Sequence, residues 1–142
     1  FYGRESEDTA YMKQFNEMVA VREDVEYRGL LNLRDTNNYD ELAKYDVMLF
    51  PTYWHGEGFP GIVIDAYISS LPIIASDWNL NKDVIEEGQT GWIIPSHDVG
   101  AVIDNSKEVQ RVSAICRERA AQYDSRLVLS EENLKKLGVL SC

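Results

Sequence analysis

Apolar positions near the start of the chain recur at three- and four-residue spacing. Met12, Phe15 and Val19, with their neighbours, predict an amphipathic helix over residues 6–22, with Ser6 or Asp8 as its cap. Ahead of it Phe1-Tyr2-Gly3 reads as the end of a strand. Val25-Glu26-Tyr27 reads as a short strand closed by Arg28-Gly29, and residues 37–45 (NNYDELAKY) as a short helix with an Asn cap. Three unbroken apolar runs follow: VMLF at 47–50, PIIAS at 72–76 and GWIIP at 91–95. Runs of that kind mark strands buried on both faces. Between them, GIVIDAYISS at 61–70 and NKDVIEEG at 81–88 read as helices, the second ended by glycine. The stretch 99–138 reads as helix, broken near Asp124-Ser125. Short buried strands alternating with helices predict an α/β fold: a Rossmann-like parallel sheet flanked by helices.

In such sheets ligands collect at the carboxyl ends of the strands. Two loops lie there, PTYWHGEGFPG at 51–61 and SDWNLN at 76–81. In the first, Pro60 fits the first turn of the following helix, where its missing N–H costs nothing. Gly58 and Gly61 permit a tight turn and a close approach by a ligand. The N–H groups of Gly61, Ile62 and Val63 then point out of the helix start, a ready site for a phosphate or another anion. Gly61, Asp65 and Ser69 share one stripe of that helix, and Glu57 lies in the loop below. Two carboxylates at one cleft suit a hydroxyl-rich ligand, because each accepts two hydrogen bonds. The same residues also fit a plain strand-to-helix turn, with Asp65 and Ser69 as the solvent stripe of an amphipathic helix. The residues alone leave both readings open. His55 reads as a loop surface residue and Trp54 and Trp78 as packing residues. SDWNLN also fits a simple turn with an Asn cap for the next helix.

Composition narrows the partners. The formal net charge of −10 disfavours nonspecific binding to nucleic acid or to an anionic bilayer through this segment. An anionic small molecule remains admissible, since backbone dipoles need no net charge. Cys116 and Cys142 are far apart, with neither a disulfide framework nor a zinc spacing, which fits a reducing cytosol. No apolar run approaches a transmembrane length, and no signal peptide is visible. The chain opens on FYG without an initiator methionine, as a piece of something longer would.

Residues 46–98 (DVMLFPTYWHGEGFPGIVIDAYISSLPIIASDWNLNKDVIEEGQTGWIIPSHD) carry a resemblance. Pro51-Thr52 follows a strand, then Glu57-Gly58-Phe59, with seven residues separating Glu57 from Asp65. Ala66, Leu71-Pro72, Asp83-Val84-Ile85, Gly88 and Gly91 complete the pattern. This resembles the C-terminal half of GT-B glycosyltransferases of the retaining group 1 (family 4) type, in the branch that builds bacterial capsule and other surface polysaccharides.

The resemblance implies one partial donor-binding domain over residues 1–142, with an N-terminal acceptor domain and the first strand of this domain lying outside the chain. It implies a hexosyltransferase that moves sugar from a nucleotide-diphosphate sugar to a glycan or lipid-linked acceptor with retention of configuration. No metal or other cofactor is implied, and the setting is bacterial cytoplasm, with the parent at the inner face of the membrane. By position, Glu57 matches the acid beside the donor sugar and is the catalytic candidate, while Asp65 matches the acid that binds ribose hydroxyls. Gly58, Phe59, Gly61 and Ile62 match the segment whose backbone lies against sugar and diphosphate, and Gly29 and Leu30 the region that holds the base. Three departures stand out. Asp65 replaces the commoner Glu, Pro60 replaces the commoner Gly, and the Arg and Lys that neutralise the diphosphate would precede Phe1. The isolated chain is therefore expected to be inactive. A nucleotide-sugar epimerase of the same architecture and a non-catalytic interaction module are the alternatives.

Overall fold

The computed structural model describes residues 1–56, 58–97, 106–124, 126 and 130–132, in two compact units divided after Asn38.

The N-terminal unit is built on α1 (Thr9–Ala20). Of the two cap candidates Asp8 serves, accepting the N–H groups of Ala10 and Tyr11 at 2.9 and 3.0 Å. Residues 1–3 and 26–29 run side by side in parallel. Arg28 N–H donates to the Phe1 carbonyl and Gly3 N–H to the Gly29 carbonyl, each at 2.8 Å. Phe15 of α1 packs edge-on against Tyr27, with ring centroids 5.4 Å apart. The unit closes on a 3-10 turn, Thr36–Asn38, where Asp35 rather than an Asn accepts the Asn37 N–H.

The larger unit contains α2 (Tyr39–Leu42), β1 (Met48–Phe50), α3 (Gly61–Ile68), β2 (Ile73–Ser76), α4 (Asn81–Val84), β3 (Gly91–Ile94) and α5 (Ser106–Ala120). The strands form a parallel sheet in the order β1-β2-β3, with Leu49 beside Ile74 and Ile74 beside Trp92. Every residue of β2 is buried, as its apolar run predicts for a central parallel strand. β1 differs. Among the described residues of this unit it pairs with β2 alone, and Leu49 is 56% exposed rather than covered on both faces.

Val63, Ala66 and Tyr67 of α3 and Val112 and Cys116 of α5 join the strand residues in one buried cluster, with α5 packed along α3. The buried Tyr67 hydroxyl is paired. Tyr67 donates its hydroxyl to the Val84 carbonyl at 3.0 Å and lies 2.8 Å from Thr90 Oγ1. Burial pushes the Tyr67 hydroxyl and the Cys116 thiol well up, the thiol to about 12.

α4 stops four residues short of the predicted span at 81–88. Thr90 Oγ1 takes the Glu86 N–H at 2.9 Å, a donor that a longer helix would have turned on its own carbonyls. The chain then turns through Gly88 at φ +67° into β3. After α5 a 3-10 turn, Ala121–Tyr123, leads to an extended Asp124, where the predicted helix breaks. The parts of that span at 99–105, 125, 127–129 and 133–138 lie outside the described residues.

Candidate functional site

The loop from β1 to α3 holds most of the residues singled out in the sequence. Glu57 lies outside the described residues. Pro60 is fully buried and stands one place earlier than predicted, as the residue before the helix, with extended dihedrals of −77° and 95°. Its carbonyl accepts the Val63 N–H at 2.9 Å. Of the three N–H groups expected to point outward, Val63 is thus turned inward. Gly61 and Ile62 remain in the first turn, where the helix supplies no acceptor of its own.

The glycines are not there for the turn, since neither Gly58 nor Gly61 adopts a positive φ. A Cβ at either would meet nothing within 4 Å. What glycine provides is bare backbone at an open surface. Phe59, half exposed, sets its ring 5.8 Å from that of Tyr123 beyond α5.

One turn along α3, Asp65 is half-buried because α2 packs over its stripe. The Tyr39 hydroxyl donates to Asp65 Oδ1 at 2.6 Å, and Ser69 Oγ donates to the Tyr39 carbonyl at 3.4 Å. The stripe is therefore not left to solvent. The bond to Asp65, then burial, then the carboxylate's charge push the Tyr39 hydroxyl up to about 12, so it stays a neutral donor far beyond neutral pH. That pairing holds one carboxylate oxygen and leaves Oδ2 for another partner. Sequence reading missed Tyr39. It lies 26 residues from Asp65, and no spacing within one element signals a bond between two.

Gly58, Phe59, Gly61, Ile62 and Asp65 share one loop and helix. Gly29 and Leu30 belong to the N-terminal unit, Gly29 at φ +68° and Leu30 exposed.

The loops after β1, β2 and β3 are tied together. Trp78 Nε1 donates to the Trp54 carbonyl at 2.9 Å, and Asn79 Nδ2 to the same oxygen at 3.4 Å. Ser96 Oγ donates to the Asp77 carbonyl at 2.5 Å. His55 is exposed as expected, with its ring 5.0 Å from that of Trp78. Trp54 is not a packing residue: it is 70% exposed. No Asn caps α4: Leu80 precedes it, and Asn81 lies inside it, buried, and donates to the Ser76 carbonyl at 3.0 Å.

The family model for glycosyl transferases group 1 matches residues 1–110. The chain belongs to that family. This group 1 chain is 26% identical over 111 residues to the phosphatidyl-myo-inositol mannosyltransferase of Mycobacterium leprae (strain TN), covering 73% of this chain and 29% of that one. It is 28% identical over 83 residues to an uncharacterized 41.2 kDa protein in the cps region of Klebsiella pneumoniae, covering 58% and 22%. Among solved structures it is similar to HepE of Anabaena in complex with UDP, with a TM-score of 0.71 at 14% identity, over 92% of this chain and 37% of that one. The group 1 chain thus spans less than a third of the length of these curated relatives. The structural likeness establishes the fold, the Rossmann-like parallel sheet of GT-B proteins.

Proposed function

We propose that the chain is the donor-nucleotide part of a longer retaining hexosyltransferase, which takes sugar from a nucleoside-diphosphate sugar. The observation that carries this reading is the start of α3. Open glycine backbone at Gly58 and Gly61 leads into the unused N–H groups of the first turn, with Asp65 one turn above, held by Tyr39 at 2.6 Å. A diphosphate against the N–H groups places its ribose along the helix, toward the free oxygen of Asp65. Glu57 then acts beside the donor sugar. UDP in the HepE structure supports a nucleotide ligand, and the cps-region relative supports a role in surface polysaccharide. No resident metal enters the reading, and the cytoplasmic supply of nucleotide-sugars fits it.

The charge argument sets what the isolated chain does. A helix start offers roughly half a positive charge. A departing diphosphate carries several times that, so cationic groups from the rest of the protein complete the leaving-group site. The chain by itself binds nucleotide weakly and turns over little or nothing.

The test is an NMR titration of the chain with uridine and guanosine diphosphates to millimolar concentration. Shifts centred on Gly58, Gly61, Ile62 and Asp65, lost in Asp65→Ala, are expected. Absence of any shift there with either nucleotide rejects the site. In the longer enzyme Glu57→Ala should lower kcat by about a hundredfold or more with little change in nucleotide affinity. Equal kcat would remove Glu57 from the chemistry.

A further inference from the structure

Three adjacent residues of the β1–α3 loop, Tyr53, Trp54 and His55, are exposed at the carboxyl end of the sheet. Scattered exposed aromatics are ordinary on any surface. These are not scattered, and they are held. Tyr53, 56% exposed, sets its ring 4.6 Å from that of His97 beyond β3. His55 lies against Trp78 beyond β2. The Trp54 N–H is 3.3 Å from Thr52 Oγ1, and its carbonyl takes the two side-chain donors from the β2–α4 loop.

The Trp54 indole is seated as well. A Cβ at Gly56 would fall 2.6 Å from Trp54 Nε1, so the bare backbone of Gly56 is what lets the pyrrole edge lie there. The remainder of the ring stays open to solvent. A mobile surface tryptophan needs none of this. The arrangement fixes a flat apolar ring, at low entropic cost, within the loop that leads from β1 to α3.

We propose that Trp54 is a stacking platform for a pyranose ring, flanked by Tyr53, in a carbohydrate subsite next to the donor site. A pyranose presents an apolar face of C–H bonds and a rim of hydroxyls. The indole takes the face, and the Tyr53 hydroxyl and the His55 ring nitrogens can take the rim. An aliphatic chain would find a platform too small and too ringed with polar groups. The subsite's place in sugar transfer rests on the function proposed above, whereas the stacking itself does not.

The experiment follows the indole N–H resonance of Trp54 in the full chain. It is titrated with methyl α-glucopyranoside and methyl α-mannopyranoside to about 100 mM, and separately with uridine diphosphate. Sorbitol, a polyol without a ring face, is the control, and the buried Trp92 indole reports the fold. At least one pyranoside should shift the Trp54 resonance saturably, and sorbitol should not. Followed at the backbone amides of Tyr53 and His55, which both variants keep, Trp54→Phe should weaken that binding about threefold to tenfold, and Trp54→Ala should abolish it with Trp92 unmoved. Shifts with pyranosides but none with the nucleotide would retain the platform and remove the donor-site reading. Shifts at Gly58–Asp65 with nucleotide, but none at Trp54 with either pyranoside, would overturn the platform. Equal shifts with sorbitol would overturn it too.

Discussion

At the scale of single residues the pair Tyr39–Asp65 decides most. An aspartate is one methylene shorter than the glutamate commoner at this place in the family pattern. Tyr39 holds the shorter carboxylate at one oxygen, 2.6 Å from its hydroxyl. Removing that hydroxyl in Tyr39→Phe leaves the Asp65 carboxyl free to rotate. A bond of this type at a half-exposed position is worth about 1 kcal/mol, so nucleotide affinity should fall about fivefold with the fold intact. Calorimetry with uridine diphosphate and its 2′-deoxy form measures this. The variant should also discriminate less between them, and unchanged discrimination would detach Tyr39 from ribose binding. The pH dependence has a definite sign. The Tyr39 hydroxyl titrates near 12 in the folded chain against an ordinary 10. Its contribution to stability is therefore complete below pH 10 and is lost as pH rises toward 12. Tyr39→Phe should erase that part of the alkaline loss, seen in urea melts across this window. Helix periodicity in the sequence already set Asp65 on one stripe with Gly61 and Ser69, and α3 does carry them so. Tyr39 was not legible, because its role exists only once α2 lies across α3.

At the scale of elements, two glycines separate packing from function. Gly91 opens β3 opposite Ile73, and a Cβ there would fall 2.0 Å from the Ile73 carbonyl oxygen. Gly91→Ala must push β3 from β2 and should destabilise the chain by about 3 kcal/mol. Gly61 opens α3, where a Cβ meets nothing. Gly61→Ala should leave stability unchanged or raise it by about 0.5 kcal/mol, since alanine suits a helix better. It should nonetheless weaken nucleotide binding, because the new methyl stands where a phosphate would lie. Denaturation and titration of the two variants check both halves, and a Gly61→Ala chain of normal affinity would move the ligand off this backbone. The central strand β2 was readable as an unbroken apolar run because both its faces are covered. The same signal misled at Leu49, since an apolar run records a side chain's preference and not its neighbours. The predicted length of α4 failed through Thr90, whose hydroxyl takes the Glu86 N–H from outside the helix. The sequence offered Gly58 and Gly61 for a tight turn or for bare backbone, and the two could only be told apart once φ was known.

At the scale of the whole molecule, net charge and local site oppose one another. The chain carries −10, while the proposed site attracts an anion through a few backbone dipoles. Those dipoles act within the first turn of α3, whereas the repulsion reaches across a Debye length, about 10 Å at 0.1 M salt and about 30 Å at 0.01 M. A diphosphate approaching this chain therefore meets repulsion first and attraction only on contact. Raising salt from about 10 to 150 mM should screen the first more than the second, so association of uridine diphosphate should quicken while dissociation changes little. This is the reverse of the behaviour of a site built on lysines and arginines, where salt slows association. Relaxation measurements at several ionic strengths distinguish the two. Association slowed by salt would mean that cationic side chains, not the start of α3, dominate the approach. In the longer enzyme that reversal is expected, because basic groups supplied outside this chain would then face the same diphosphate. The sign of the salt effect thus reads out which part of the protein carries the charge of the leaving group.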